Sequence, residues 1–301
     1  EAGRLHTHKG AGLVADIFTP EILNGLPGRS AIGHVRYSTT GSSVQNNGHP
    51  IVANFRGTTL AVAHNGNLTN ANVLRAELEE RGAIFQSTTD TECLIHLIAQ
   101  AGPHVSFEEA LHQSLARLRG AYSFVIARPD RLVAARDPLG FRPLVLGKLG
   151  DGYVVASESC AFDLLNAQYL REVQPGEVLT FTDGVCRSTK PLPPAEQAFC
   201  IFEYIYFSRP DSLGGSGSRT IMELRNRLGE QLAIECPAAA DVVIAVPDSS
   251  VPAAIGYARR SGIPYDIGLV RSHYVGRTFI EPDQKLRDFG ARIKYNPVRG
   301  V

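Results

Sequence analysis

The sequence predicts two successive domains, an α+β domain up to about Asp183 and a parallel α/β domain after it. Three observations carry that prediction. Short β-type runs recur through the first part with only two helical patterns among them. A proline-rich stretch, Arg187–Gln197 with Pro191, Pro193 and Pro194, reads as a linker. Beyond it, helical and strand patterns alternate.

The strands of the first domain are expected at Ala31–Tyr37, Leu60–His64, Ser123–Ala127, Leu132–Arg136, Tyr153–Ser157 and Val178–Thr182, several of them bounded by Gly, Pro, Asn or Asp. Of the two helices, Asn72–Glu80 gathers Val73, Leu74 and Leu78 on one side. Thr91–Gln100, with Leu94, Ile95, Leu97 and Ile98, has the character of a buried helix. Strands grouped apart from helices suggest sheets covered by helices. In the second domain, Arg219–Cys236 spaces Ile221, Leu224, Leu228 and Leu232 at helical intervals. A strand (Asp241–Val246), a helix (Val251–Arg260) and another strand (Tyr265–Val270) follow. That order is the signature of a parallel sheet with right-handed crossovers.

Composition sets the outer bounds. The 301 residues, 44% apolar and 20% charged, suffice for two cores. Thirty basic and 30 acidic residues cancel, so the overall field gives no reason to expect a nucleic-acid partner or an acidic membrane surface. An anion would have to be held by a local cluster. No apolar run reaches bilayer length, and residues 1–12 lack the basic and apolar regions of a signal peptide. The five cysteines (Cys93, Cys160, Cys186, Cys200, Cys236) are scattered without CxxC spacing, which suits a reducing compartment and a cytoplasmic location. The only methionine is Met222, and Val301 follows a basic stretch abruptly, so the sequence reads as an interior piece of a longer chain.

Three segments of the first domain can carry chemistry. In Ala61–Leu68 (AVAHNGNL) an apolar strand runs into Asn65–Gly66. An asparagine amide beside a glycine N–H offers the two converging donors that a tetrahedral oxyanion needs. Asn-Gly is also the strongest short hairpin signal, and composition alone favours that turn. In Gly33–Gly41 (GHVRYSTTG), Arg36 ends an apolar strand, where its guanidinium could grip a carboxylate through two hydrogen bonds or simply reach solvent. In Thr89–Glu92 (TDTE), Thr89 and Glu92 fit a capping box for the following helix, and Asp90, which the box does not require, could face a substrate ammonium.

Taken together in chain order, GHVRYSTTG, AHNGNL, TDTE, ARDPLGFRPL (Ala135–Leu144), ASES (Ala156–Ser159) and REVQPGEV (Arg171–Val178) resemble the glutaminase domain of class II amidotransferases. The resemblance covers nearly all of residues 1–183. It implies an α+β N-terminal-nucleophile hydrolase fold with αββα layers. It also implies that Asn65 and Gly66 form the oxyanion hole, that Arg36 binds the glutamine α-carboxylate and Asp90 its α-amino group, and that Thr39 lies in the same pocket. The family nucleophile is an N-terminal cysteine whose own amine serves as base. Glu1 stands first here, so the 301 residues alone are expected not to hydrolyse glutamine.

In the second domain, AVPDSSVPAAIGYA (Ala245–Ala258) puts Asp248, Ser249 and Ser250 between a strand end and a helix start. Open α/β sheets bind ligands at such a crevice, and a helix start favours anions. Helix capping by Asp248 or Ser249 is an equal alternative. The stretch Arg271–Gly300 carries Arg271, Arg277, Lys285, Arg287, Arg292, Lys294 and Arg299 and is expected to be a basic loop, either a lid over a pyrophosphate or merely solvated.

YIYFSRPDS (Tyr204–Ser212), VPDSS and YVGRTFIEP (Tyr274–Pro282), in that order, resemble the amidophosphoribosyltransferase family. This resemblance implies an α/β type I phosphoribosyltransferase domain and the amination of 5-phosphoribosyl 1-pyrophosphate with glutamine, at the start of purine synthesis. It places a glutaminase domain at 1–186, a linker at 187–197 and a transferase domain at 198–301, both domains truncated. Ser249 would help hold Mg²⁺. Tyr274–Pro282 would close over the sugar phosphate, with Arg277 among its substrate-binding residues and Phe279 and Ile280 lining an ammonia passage. Cys200 matches a position that ligates a [4Fe–4S] cluster in one branch of the family, although a lone cysteine in an apolar run is ordinarily a buried thiol. A homotetramer is the assembly the resemblance implies. Two other readings stay open: another class II amidotransferase, such as a glucosamine-phosphate or asparagine synthase, which VPDSS and YVGRTFIEP oppose, and a non-catalytic regulatory relative that keeps the scaffold.

Overall fold

The computed structural model describes residues 4–36, 45–214, 217–274 and 283–301. The chain divides into two compact units, Glu1–Ser157 with Ala161–Phe199, and Glu158–Cys160 with Cys200–Val301.

The first unit contains α1 (Val14–Ile17), α2 (Pro20–Asn24), β1 (Ile51–Phe55), β2 (Thr58–Leu68), α3 (Ala71–Glu80), α4 (Thr91–Gln100), α5 (Phe107–Arg117), β3 (Gly120–Arg128) and β4 (Arg131–Arg136). It continues with β5 (Val145–Leu149), β6 (Gly152–Ala156), α6 (Cys160–Leu165, all but its first residue), β7 (Gln168–Glu172), β8 (Val178–Thr182) and β9 (Val185–Thr189). An antiparallel six-stranded sheet has the order β1-β2-β3-β4-β8-β9, and a three-stranded sheet the order β6-β5-β7.

Strand alternation explains how the layers stack. One face of the large sheet (Leu60, Val62, Tyr122, Phe124, Ile126, Val133, Ala135, Val178) packs under α3, α4 and α5. The neighbouring residues on the other face, Val125, Ala134, Leu179 and Phe181, meet Leu144, Leu146, Tyr153 and Val155 of the small-sheet region. With both faces covered, these strands must be nearly continuous apolar runs. On the far face of β5, a Cβ at Gly147 would lie 3.0 Å from the Phe162 ring of α6. The order is therefore helix, sheet, sheet, helix. Each fully buried large side chain such as Phe124 contributes roughly 1.5–3 kcal/mol.

Several expectations need correction. Residues 31–36 form no strand, and Val35 is exposed. The supposed linker begins inside β9, because residues 187–189 pair with β8. The helix α5 was not expected, although Ser106 caps it by accepting from Glu109 N. The TDTE capping box does not form. Glu92 instead turns back over the preceding loop and accepts from Gln86 N, Ser87 N and the Ser87 hydroxyl. Three donors satisfy the buried carboxylate better than the single N–H of a capping box would.

The second unit has a π-helical turn (Glu203–Phe207), the short strands β10 (Leu213–Gly214) and β11 (Arg219–Thr220), α7 (Ile221–Glu235), α8 (Val251–Ser261), β12 (Leu269–Arg271), α9 (Gln284–Lys294) and β13 (Tyr295–Pro297). Glu158 and Ser159 belong here because they accept hydrogen bonds from Arg209 N, the Ser212 hydroxyl and Leu213 N. A reciprocal Thr220–Glu223 capping box starts α7. The expected strands Asp241–Val246 and Tyr265–Val270 reduce to a parallel bridge, Val243 to Tyr265, and to β12, which pairs antiparallel with β13. Residues 284–294 of the expected basic loop form the helix α9, capped by Asp283, with Arg292 and Lys294 in its last turn where they complement the helix dipole, while residues 275–282 lie outside the described residues. Among the described residues, no helix is long and apolar enough to cross a membrane.

Candidate functional site

Buried polar groups converge at a cleft of about 90 Å³ in the first unit, lined by Gly33, His34, Ala63, His64, Asn65, Ser123, Val125, Leu144, Val155, Ala156 and Ser157. A larger hollow of about 450 Å³ lies over α7 and α8, but it opens widely between mostly exposed side chains such as Arg227, Gln231 and Arg260. The smaller cleft gathers the residues His64, Asn65 and Ser123 from two adjacent strands.

Asn65 and Gly66 lie inside β2, opposite Ser123 and Tyr122 of β3, so the hairpin turn that composition favoured does not occur. The partner β1 begins only at Ile51, opposite Val62, so among the described residues no strand pairs with the far edge of Ala63–Leu68. Leu68 uses that edge: its N–H donates to Asp90 Oδ2 at 2.8 Å. Strand alternation turns the Gly66 N–H toward the same edge. Any side chain at Gly66 is excluded, because a Cβ would overlap the Ala121 carbonyl and come within 2.7 Å of His64 Nε2. The Asn65 amide donates from Nδ2 to the Ser157 hydroxyl at 3.2 Å and accepts at Oδ1 from Arg142 at 3.1 Å.

Asp90 sits at the start of α4 without capping it. Burial alone would raise its carboxyl, but the His64 imidazole, the Leu68 N–H and the Thr89 hydroxyl outweigh burial and bring it down to about 2. His64 Nδ1 is 3.4 Å from Asp90 Oδ1 and 3.1 Å from Thr91 Oγ1, and the ring lies 4.5 Å from that of Phe124. His34 and His49 meet edge to face at 4.6 Å. Burial chiefly, with repulsion from neighbouring cationic groups, holds His34 down to about 4 and His49 down to about 3. Arg36 is one of those cationic neighbours. Thus Asn65 and Gly66 lie on one stretch of strand edge that Asp90 meets through the Leu68 N–H, and Arg36 acts electrostatically on His34, which lines the cleft. Thr39 lies outside the described residues. Sequence reasoning passed over His64, Arg142 and Ser157; only the AHNGNL, RDPLGFRP and ASES segments that contain them stood out.

In the second unit, Asp248 pairs with Arg271, Ser249 is half-buried in the turn before α8, and Tyr295 Oη donates to Pro247 O at 3.1 Å. Neither Asp248 nor Ser249 caps α8; Ser250 holds the N-cap position without a side-chain cap bond. Arg277, Phe279 and Ile280 lie outside the described residues. Cys200 is half-buried just before the π-helical turn. Among the described residues no group of three or more His, Cys, Asp or Glu could hold a metal ion. One thiol at Cys200 and one hydroxyl at Ser249 therefore do not by themselves fit a cluster or a Mg²⁺ ion.

A family model described as a glutamine amidotransferase domain matches residues 34–163. Amidophosphoribosyltransferase 1, chloroplastic, of Arabidopsis thaliana is 53% identical over 298 residues, 99% of this chain and 52% of the relative. Amidophosphoribosyltransferase of Bacillus subtilis is 48% identical over 299 residues, 99% of this chain and 62% of the relative. The solved glutamine phosphoribosylpyrophosphate amidotransferase from B. subtilis, complexed with ADP and GMP, superposes with a TM-score of 0.86 at 46% identity, over 96% of this chain and 62% of that one. The chain thus spans between about half and six-tenths of the length of these relatives.

Proposed function

We propose, on the premise that the chain belongs with the amidophosphoribosyltransferases it matches along nearly its whole length, that the complete protein aminates 5-phosphoribosyl 1-pyrophosphate with glutamine. The products are 5-phosphoribosylamine, pyrophosphate and glutamate, at the first step of purine synthesis. That kinship is the observation that carries the proposal, and the β2 edge supplies the chemistry it needs.

In this reading, residues 1–186 are the glutaminase domain and 198–301 the phosphoribosyltransferase domain. Glutamine lies along the open edge of β2, with its α-ammonium at Asp90 and its α-carboxylate at Arg36. Attack on the side-chain amide pushes negative charge onto its oxygen, and the Asn65 Nδ2 and Gly66 N–H donors stabilise that charge. Donors fixed in a strand need no reorganisation as the charge develops, and losing one typically costs roughly 3–4 kcal/mol of barrier. A low Asp90 pKa keeps the carboxylate charged for the ammonium throughout the neutral range. The nucleophile is assigned to an N-terminal cysteine of the complete protein, since no cysteine lines the cleft among the described residues. Thr39 belongs to the same pocket, and Arg277, Phe279 and Ile280 to sugar-phosphate binding and ammonia passage in the transferase domain.

Ser249 is assigned as a contributor to Mg²⁺ binding and Cys200 as one ligand of a [4Fe–4S] cluster. Each supplies one ligand only, so no step here runs through either group. About four irons per subunit in an anaerobic preparation would support the Cys200 assignment, and an iron-free one would remove it. A homotetramer and a cytoplasmic location belong to the same proposal.

The test is stoichiometry. The complete protein, given glutamine and phosphoribosyl pyrophosphate, should release glutamate and pyrophosphate in equal amounts, each dependent on both substrates. Absence of glutamate release would overturn the reading.

A further inference from the structure

We infer that Arg142 is a positioning residue that fixes which way the Asn65 amide faces; the inference rests on the glutaminase reading above. A primary amide has two ends of nearly equal size and opposite hydrogen-bonding character. Only the NH₂ end can donate to an oxyanion. With the amide reversed, its oxygen would face the developing negative charge and repel it. Some neighbour must therefore break the symmetry.

Ser157 cannot. Its hydroxyl, 3.2 Å from Asn65 Nδ2, donates or accepts with equal ease and would tolerate either orientation. Arg142 can, because a guanidinium has donors and no acceptor. Its Nη2, 3.1 Å from Asn65 Oδ1, accommodates the amide only with the oxygen turned toward it. The same positive charge also polarises the amide and makes its N–H groups better donors.

The loop that carries Arg142 is built to hold this pose. Arg136, whose side chain is fully buried, donates to the carbonyls of Arg142, Gly140 and Val173. Asp137, also buried, accepts from the N–H groups of Tyr122, Leu139 and Phe141. The Ser123 hydroxyl, from a residue that lines the cleft, donates to Pro143 O at 3.4 Å. Two buried charges thus stiffen Ala135–Leu144 so that one arginine reaches across to a residue 77 positions earlier.

The experiment is a double-mutant cycle on glutamine hydrolysis by the complete protein, using Arg142→Met, Asn65→Ala and both together. Arg142→Met is expected to lower kcat roughly 10- to 100-fold while the glutamine KM changes little, since the contact acts on the developing charge. Arg142→Lys, also donor-only, should recover much of the loss. Most tellingly, Asn65→Ala with Arg142→Met should be no slower than Asn65→Ala alone. Additive losses, an Arg142→Met enzyme with wild-type kcat, or a KM rise without a kcat fall would each overturn the inference while leaving the glutaminase reading in place. A wild-type protein that releases no glutamate would overturn both.

Discussion

Gly66 is the residue on which the site's geometry turns. It stays a glycine because β3 comes so close that a Cβ would collide with the Ala121 carbonyl and crowd His64 Nε2. Gly66→Ala should push β2 from β3 and displace the donor edge together with His64. We expect a stability loss of about 1–3 kcal/mol, of the overpacking kind, in denaturant melts, and at least a 100-fold fall in glutamine hydrolysis. A stable Gly66→Ala protein with normal activity would contradict the close approach. The titratable neighbours make a second prediction. His34 and His49 are held from an ordinary 6.5 down to about 4 and about 3, so the fold prefers them neutral. Their contribution is complete above about pH 6.5 and is lost as pH falls toward those values. Asp90, lowered from 3.8 to about 2, contributes above 3.8 and loses that contribution as pH drops toward 2. Both effects destabilise in acid, the histidines first. The Tm should therefore decline between pH 6.5 and 4, and His49→Leu should flatten that decline, since neither ring nitrogen of His49 has a partner among the described residues. A Tm level from pH 7 to 4.5 would argue against it. At this scale Asn65, Gly66 and Asp90 were singled out by the resemblance that their segments carry, while residue type alone favoured a turn at the first two and a helix cap around the third. Arg142 and Ser157 were not singled out, because they meet Asn65 only across 77 and 92 positions of chain.

Elements were legible where the periodicity was strong and local. The helix α4 runs Thr91–Gln100 as expected, and seven of its ten residues are buried. β5 and β7 gave weaker signals: β5 contains Gly147 and Lys148, and β7 the polar run of Gln168, Arg171 and Glu172. Both gain their order from pairing with each other rather than from propensity. In α9, Leu286, Phe289 and Ile293 do recur at helical spacing, but ten charged residues and two prolines within Arg271–Gly300 mask that pattern. The pair α7–α8 shows what a sequence can hide most completely. Gly229 and Gly256 look like mid-helix weaknesses, worth about 1 kcal/mol each against alanine. Here they let two helices touch backbone to backbone. A Cβ at Gly229 would overlap the Ala253 carbonyl, and one at Gly256 the Asn226 carbonyl. Gly229→Ala should therefore lower stability by about 1–3 kcal/mol despite its better helix propensity. Hydrogen exchange should show protection lost in α7 and α8 while β2 and β3 keep theirs. Stabilisation by either alanine would mean that the helices stand further apart than these contacts require.

At the scale of the whole molecule, the change of rhythm near residue 190 announced two units, but not their interleaving at Glu158–Cys160. Those three residues are assigned by the hydrogen bonds that Glu158 and Ser159 accept from the segment 209–213, and no local pattern encodes such long-range bonds. Two compact units also suggest two separable chemistries. If the first unit only makes ammonia and the second only spends it on the sugar, an external supply should bypass the first. Asn65→Ala removes an oxyanion donor on β2 and should lower glutamine-dependent amination roughly 100- to 1,000-fold in the complete protein. Amination driven by ammonium salts at mildly alkaline pH needs no amide hydrolysis, and it should stay within about twofold of wild type, since the substitution lies in β2 and not in the second unit. Pyrophosphate release with each nitrogen source, measured on one preparation, separates the two. Equal loss with glutamine and with ammonia would mean that Asn65 supports the fold of both units, and the division of labour between them would then have to be given up.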